Sequence, residues 1–500
     1  MNLVNLLLNT SRNLAIIDGS DSYTHEELRN LSLRLASGLV HEGNIVPGAR
    51  VAIIAHNSVE FLIAYFAILS CGGIVIPLDP HAGESERAHD IAVVRPHLII
   101  TSSRDWISEK YRDAIPYIEF HSDVWRSYGK KKPLDPVERE ASDVAVMMMT
   151  SGASFQPRPA MLTHGSLAAN LEQAKSVPEL NLTNQDIVLA VLPMYHIFGL
   201  HVVAGLTLHA HATLVISRTF DPAELADLIG YHRVTIVPGV PLLFDAFVTS
   251  ESVTIDTLGG VRLFVSGGAP MRSEVRAKFY ERFGAHVAEG YGLTEASPMV
   301  SFTPNALREG DIGTPLDGVE VDIRDSSGSV ALVGDVGQIV VRGDNVFAGY
   351  FGERDATTRV LDQSGWLFTG DIGVRNDDGS ITLIDRSNDV IVVFGFSVYP
   401  SEVESVLLES ELVDQASVVG ALDEKSGESV VAYIDAASDL NDVTDPHVRR
   451  RIEKELREFC MPLLAKYKIP TRFEFIDDAN VRASARPLRK SLRSALRHLE

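Results

Sequence analysis

Cysteine is nearly absent from this chain: Cys71 and Cys460 are the only 2 in 500 residues. Two thiols so far apart exclude a disulfide scaffold and fit a reducing cytoplasm. Cys71 lies in an apolar run and reads as core. Positive charge is the next shortage. The 45 Lys and Arg against 67 Asp and Glu leave a formal charge of −22. Such a field repels phosphate backbones and excludes general nucleic-acid binding. The cations that do cluster stand at the end, Arg482, Arg486, Arg489, Lys490, Arg493 and Arg497. They form either a solvated helix face or a set of anion contacts. Unbroken apolar runs of membrane length are also missing. Residues 61–78 are interrupted by Gly72, Gly73 and Pro77, and residues 189–210 by Pro193 and three histidines, His196, His201 and His209. The start of the chain has neither a basic n-region nor a small-residue cleavage site. A soluble, cytoplasmic protein with no membrane span is expected.

What is present is a large apolar fraction, 45%, enough for an extensive core and more than one domain. Thr24-His25-Glu26-Glu27 is a capping box opening a helix with Leu28, Leu31, Leu35 and Leu39 on one face, closed by Gly43. Short apolar strands then alternate with amphipathic helices. Strands are expected at 51–55, 74–76, 98–101, 144–149, 187–191, 213–216, 234–237 and 263–265, and helices at 59–69, 223–230 and 272–283. This alternation predicts an α/β fold with layered, largely parallel sheets. From 319 to 342 the pattern becomes strands with Gly turns, a small β-rich subdomain. After 381–389 a short α+β segment runs to the end.

Three segments carry the chemistry. Ser266-Gly267-Gly268-Ala269-Pro270 follows a buried strand, and its glycines let backbone approach a flat base. Glu289-Gly290-Tyr291-Gly292-Leu293-Thr294-Glu295 adds a stacking aromatic and a hard oxygen donor of the kind Mg²⁺ prefers. Gly365-Trp366-Leu367-Phe368-Thr369-Gly370-Asp371 places a carboxylate where it can accept from a ribose diol. Separately, each is an ordinary Gly turn, a capped helix start or a turn aspartate.

The ordered set resembles the adenylate-forming superfamily of acyl-CoA synthetases, aryl-acid ligases, nonribosomal-peptide adenylation domains and luciferases, over nearly the whole chain. The resemblance implies an N-terminal adenylate-forming domain, 1–387, and a mobile C-terminal lid domain, 388–500, hinged at Asn388. It implies ATP, Mg²⁺ and CoA (or a carrier-protein pantetheine) as cofactors and a small carboxylic acid as substrate. By the matching motifs, Thr294 contacts the α-phosphate, Glu295 ligates the metal, and Asp371 and Arg386 touch the ribose. Leu192-Pro193-Met194-Tyr195-His196-Ile197-Phe198-Gly199-Leu200 matches a wall of the carboxylate pocket whose histidine gates the thiol. Gly395, before Phe396-Ser397-Val398-Tyr399-Pro400, matches the position past which pantetheine runs; Ser401 reads as the cap of the helix that follows. Residues 237–241 and Ser301-Phe302 are expected to supply an apolar pocket, favouring a fatty or aromatic acid.

Two motifs depart from the pattern. The phosphate loop reads Thr150-Ser151-Gly152-Ala153-Ser154-Phe155-Gln156-Pro157-Arg158-Pro159. Hydroxyls survive at Thr150, Ser151 and Ser154 and a cation at Arg158, but Phe155 and Pro159 replace glycines, adding bulk and deleting an N–H that could meet phosphate. In the tail, Ala485-Arg486 stands where relatives carry Gly-Lys, delivering the adenylation charge as a planar fork. The expected activity is ATP-dependent acid–thiol ligation. The alternatives are a relative forming an amide or N–N bond with an amine, and a nucleotide- or acyl-AMP-binding protein without adenylation.

Overall fold

A computed structural model describes residues 2–150, 157–306, 308–325, 327–386, 389–393, 396–423, 427–437, 445–464 and 466–476. Ser151, Gly152, Ser154, Phe155, Asn388, Gly395 and Arg486 lie outside the described residues. Arg386 is described in its backbone only.

The short apolar runs fold as buried strands because both of their faces are covered by helices. Two sheets result. A six-stranded one is ordered Tyr117–Glu119, Leu98–Thr101, Arg50–Ile54, Ile74–Leu78, Val144–Thr150, Arg158–Thr163, parallel until the last, which returns antiparallel as a hairpin partner. A thirteen-stranded one has a parallel centre, Val287–Gly292, Leu263–Gly267, Ile236–Gly239, Ile187–Ala190, Thr213–Ile216 and Leu14–Asp18. Beyond Val287–Gly292 the order turns antiparallel through Met299–Thr303, Asp311–Pro315, Ile381–Arg386, Leu367–Arg375, Val336–Gly343 and Val319–Arg324. The β-rich stretch read from the Gly-turn pattern forms one end of the large sheet.

The expected helices form. Thr24 caps His25–His41 through a reciprocal box with Glu27, and Val59–Ser70 and Ser273–Phe283 cover the sheets. The interrupted run at 61–78 is a helix, a turn at Gly72 and Gly73, and the strand Ile74–Leu78. Among the described residues no helix is long and apolar enough to cross a membrane. Cys71 and Cys460 are both buried and unpaired.

One apolar core runs from Leu3 to Ile381, and another gathers Ile391 to Phe473 around the strands Val413–Asp423 and Gly427–Ala436. Helix Pro400–Leu408 belongs to the second core but meets the first at its start. Ser401 lies inside this helix, and Tyr399 holds the cap position without a side-chain bond. The serine amide donates instead to Asp385 Oδ2 at 2.9 Å and its hydroxyl to the Ile384 carbonyl at 2.8 Å. A carboxylate from another strand thus caps the helix, which corrects the reading of Ser401 as its own cap.

Candidate active site

A cavity of about 250 Å³ opens at the carboxyl ends of the parallel strands Leu263–Gly267 and Val287–Gly292. Ligand clefts in open α/β sheets form there because strand ends and the loops that leave them diverge. It gathers Thr150, His196, Gly267, Gly268, Ala269, Tyr291, Thr294, Glu295 and Asp371, residues drawn from five separate stretches of sequence.

The floor is backbone. A Cβ at Gly267 would lie 2.9 Å from the Phe198 ring and 3.3 Å from the Gly290 carbonyl, so a side chain there would displace the cavity wall. Gly268 follows at φ +79°, a conformation L residues rarely adopt. Glu289, buried beneath the floor, accepts from the Met271 amide at 3.3 Å and pairs with the Arg276 guanidinium. Burial pushes its carboxyl above the ordinary value although Arg276 pulls the other way. Its task is to tie the 268–271 turn to the neighbouring strand.

Tyr291 and Asp371, both buried, meet across the cavity: the phenol donates to Asp371 Oδ2 at 2.7 Å. Asp371 itself sits directly opposite Arg386 in the antiparallel pair Leu367–Arg375 and Ile381–Arg386. Its amide donates to Thr369 Oγ1 at 3.0 Å, which holds the turn that presents the carboxylate.

Thr294–Ala296 is a single tight turn, and a segment 50 residues away seats it. Asn345, fully buried, donates from Nδ2 to the carbonyls of Ala296 at 2.9 Å and Met299 at 3.2 Å. The Phe347 amide donates to the Glu295 carbonyl at 2.9 Å, and Tyr350 Oη donates to Glu295 Oε1 at 2.7 Å. The same segment pairs with the strand after the phosphate loop: the Met161 amide donates to the Gly349 carbonyl and the Phe351 amide to the Pro159 carbonyl, each at 2.9 Å. This double attachment brings the ends of the phosphate loop to the Thr-Glu turn.

Pro159 is accordingly a strand residue, paired with Met149, and its carbonyl faces the 351 amide. N–H and C=O of one strand residue point the same way, so the missing N–H faces that segment. The expectation that Pro159 deletes a phosphate donor is corrected by this placement. Arg158 opens the strand, and its Nε binds Glu353 Oε2 at 2.7 Å while its guanidinium lies 5.8 Å from the Tyr350 ring centre. Thr150 Oγ1 donates to the Arg158 carbonyl at 3.2 Å, closing the hairpin below the loop.

His196 lies exposed in the cavity mouth. Its Nδ1 accepts from the Phe198 amide at 3.2 Å, leaving the proton on Nε2, and desolvation by the surrounding walls lowers its pKa. The apolar wall is Leu180, Ile197, Phe198, Val202, Met299, Phe302 and Ile312. Residues 237–241 are not among those lining this cavity, although Val240 Cγ1 comes within 3.9 Å of where a Cβ on Gly268 would stand, and the Ser301 hydroxyl is turned to the Ile312 carbonyl at 2.7 Å. Sequence reasoning missed Asn345, Tyr350 and Glu353, and gave Glu289 no role of its own. Nothing in their spacing marks them; only Tyr350, between Gly349 and Gly352, sits in a turn-like context.

Comparison with known proteins gives a consistent result. Residues 8–351 match the AMP-binding enzyme family and residues 402–485 the AMP-binding enzyme C-terminal domain. The chain is 31% identical over 516 residues to 4-coumarate–CoA ligase 1 of Oryza sativa subsp. japonica, covering 97% of this chain and 90% of that protein. Its fold matches ATP-bound MatB from Rhodopseudomonas palustris with TM-score 0.90 at 28% identity, covering 100% and 99% of the two chains. The amide bond synthetase McbA from Marinactinospora thermotolerans superposes with TM-score 0.86 at 27% identity, each chain covered to 99%.

Proposed function

The chain belongs to the AMP-binding enzyme family of adenylate-forming ligases, and on that premise we propose how its own residues divide the work. The enzyme is an AMP-forming acid–thiol ligase. A carboxylate oxygen attacks the α-phosphorus of ATP and pyrophosphate leaves, giving an acyl-adenylate. The CoA thiol then attacks the acyl carbon and AMP leaves.

The observation that carries the assignment is the convergence, in one cavity, of the glycine floor, the Tyr291–Asp371 pair and the Thr294–Glu295 turn. A flat base fits over Gly267 and Gly268 against the Tyr291 ring. Asp371, with Arg386 directly opposite in the sheet, holds the ribose. Thr294 donates to the α-phosphate. The donor set fits Mg²⁺, since Glu295 brings a carboxylate of which Tyr350 engages one oxygen, Oε1. When bound, that ion neutralises charge on the phosphate oxygens. Stabilising the crowded phosphorus then falls to fixed cations and dipoles. Arg486 is the cation we assign to that task from the sequence, with Thr150, Ser151, Gly152, Ser154 and Arg158 forming and bracing the phosphate loop.

His196, whose pKa partial desolvation lowers, borders the apolar acyl site, and we assign it the gate for the thiol. The lid, residues 388–500, turns about Asn388 to bring Gly395 beside the pantetheine arm. The apolar wall suits a fatty or aromatic acid. CoA is the acceptor we favour over a carrier-protein pantetheine, and the reducing environment that two unpaired thiols suit is the cytoplasm.

Pyrophosphate release with Mg·ATP across a panel of aryl and fatty acids, with and without CoA, tests the reading. Acid-dependent release that turns over with CoA is the expected result. Release that turns over only with amines would establish amide formation, and silence with AMP still bound would leave a binding protein.

A further inference from the structure

We propose that Tyr350 is a positioning residue for the metal ion, its phenol fixing the Glu295 carboxylate in the orientation in which it meets Mg²⁺. The inference rests on the reading of Glu295 as metal ligand. A glutamate at the mouth of a cleft turns freely about its side-chain bonds unless a neighbour holds it, and each freedom lost on metal binding weakens binding. Among the described residues the one hydrogen bond to the Glu295 carboxylate comes from Tyr350 Oη, at 2.7 Å on Oε1. It leaves Oε2 as the oxygen for the cation.

The tyrosine can set that geometry because it is itself held. Its amide donates to Thr357 Oγ1 at 2.9 Å, and its buried ring stands edge-on to Phe347 with centroids 5.0 Å apart. On the other side lies the Arg158 guanidinium, kept in place by Glu353. The Phe347 amide meanwhile binds the Glu295 carbonyl at 2.9 Å. Backbone and side chain of Glu295 are thus both referenced to residues 347–350. Arg158 opens the strand Arg158–Thr163, so the start of that strand and the metal ligand both meet one tyrosine.

Hydrogen-bond partners of metal ligands contribute roughly 10- to 100-fold to metal affinity. The test uses Mn²⁺ as the probe, its free concentration read by electron paramagnetic resonance with full-length protein and ATP. Tyr350→Phe, which removes one oxygen and keeps the ring, is expected to weaken Mn²⁺ uptake by about 10- to 100-fold. AMP binding in EDTA is expected to be unchanged, which a general loss of structure would not allow. Glu295→Gln should lose Mn²⁺ whatever Tyr350 does. Wild-type Mn²⁺ affinity in Tyr350→Phe, with Glu295→Gln impaired, would overturn the proposal and leave the ligand reading standing. Unimpaired Mn²⁺ uptake by Glu295→Gln would overturn both. Joint loss of Mn²⁺ and AMP binding in Tyr350→Phe would mark a structural role and also overturn it.

Discussion

Replacing Asp371 with alanine separates what this carboxylate does for a nucleotide from what it does for the fold. If it receives a ribose diol, two charge-assisted hydrogen bonds disappear on substitution. At about 1.5–3 kcal/mol apiece before water takes over part of the role, the net loss is about 2–4 kcal/mol. That corresponds to a dissociation constant for AMP raised roughly 30- to 700-fold. The same substitution removes the acceptor of the Tyr291 phenol, 2.7 Å away in a buried setting. That loss is present with and without AMP, so it cancels from the affinity and falls on stability, by about 1 kcal/mol. Asp371→Ala combined with Tyr291→Phe should therefore regain stability while keeping the weakened affinity, because the phenylalanine ring still offers a face to adenine. Isothermal titration with AMP and urea titration of both variants read the two quantities separately. Unchanged affinity in Asp371→Ala would refute the ribose role. A double variant no more stable than the single would refute the account of the Tyr291 contact.

Asp90 yields a pH prediction. Burial, with Glu86 and Asp79 nearby, pushes its carboxyl up to about 7, and its Oδ1 has no hydrogen-bond partner among the described residues. The folded state therefore holds this proton more tightly than the unfolded chain, and stability falls as pH rises from near 4 through 7, by roughly 4 kcal/mol at most. Asp90→Asn should flatten that part of the stability–pH curve and be more stable than wild type at pH 8; parallel curves would sink the idea. Asn345→Ala takes the donor from two carbonyls that anchor the Thr294–Ala296 turn. A loss of roughly 2 kcal/mol or more in urea titration and a higher KM for ATP are expected. An unchanged KM would show that the turn holds its shape without Asn345.

Much of the architecture was legible because local patterns and global packing agree. Leu98, Ile99 and Ile100 are apolar at positions that both faces of a sheet bury, and the Thr24 box forms as read. The Gly-rich and Thr-Glu motifs were equally readable as segments, and they line one cavity. Other expectations failed where a neighbour distant in sequence supplies the partner. Ser401 looked like a helix cap, but Asp385 does the capping. Pro159 looked like part of the loop, but pairing with Met149 and Phe351 makes it strand.

By itself the sequence determined that the chain builds α/β layers and carries short motifs resembling those of adenylate-forming enzymes, because each depends on residue type within a few positions. Only the tertiary structure decided how those motifs are held. Tyr291 reaches Asp371 across 80 positions and Tyr350 reaches Glu295 across 55. Such pairs come from sheet order and strand register, which set long-range contacts through the packing of the whole core and leave no periodic trace in the chain.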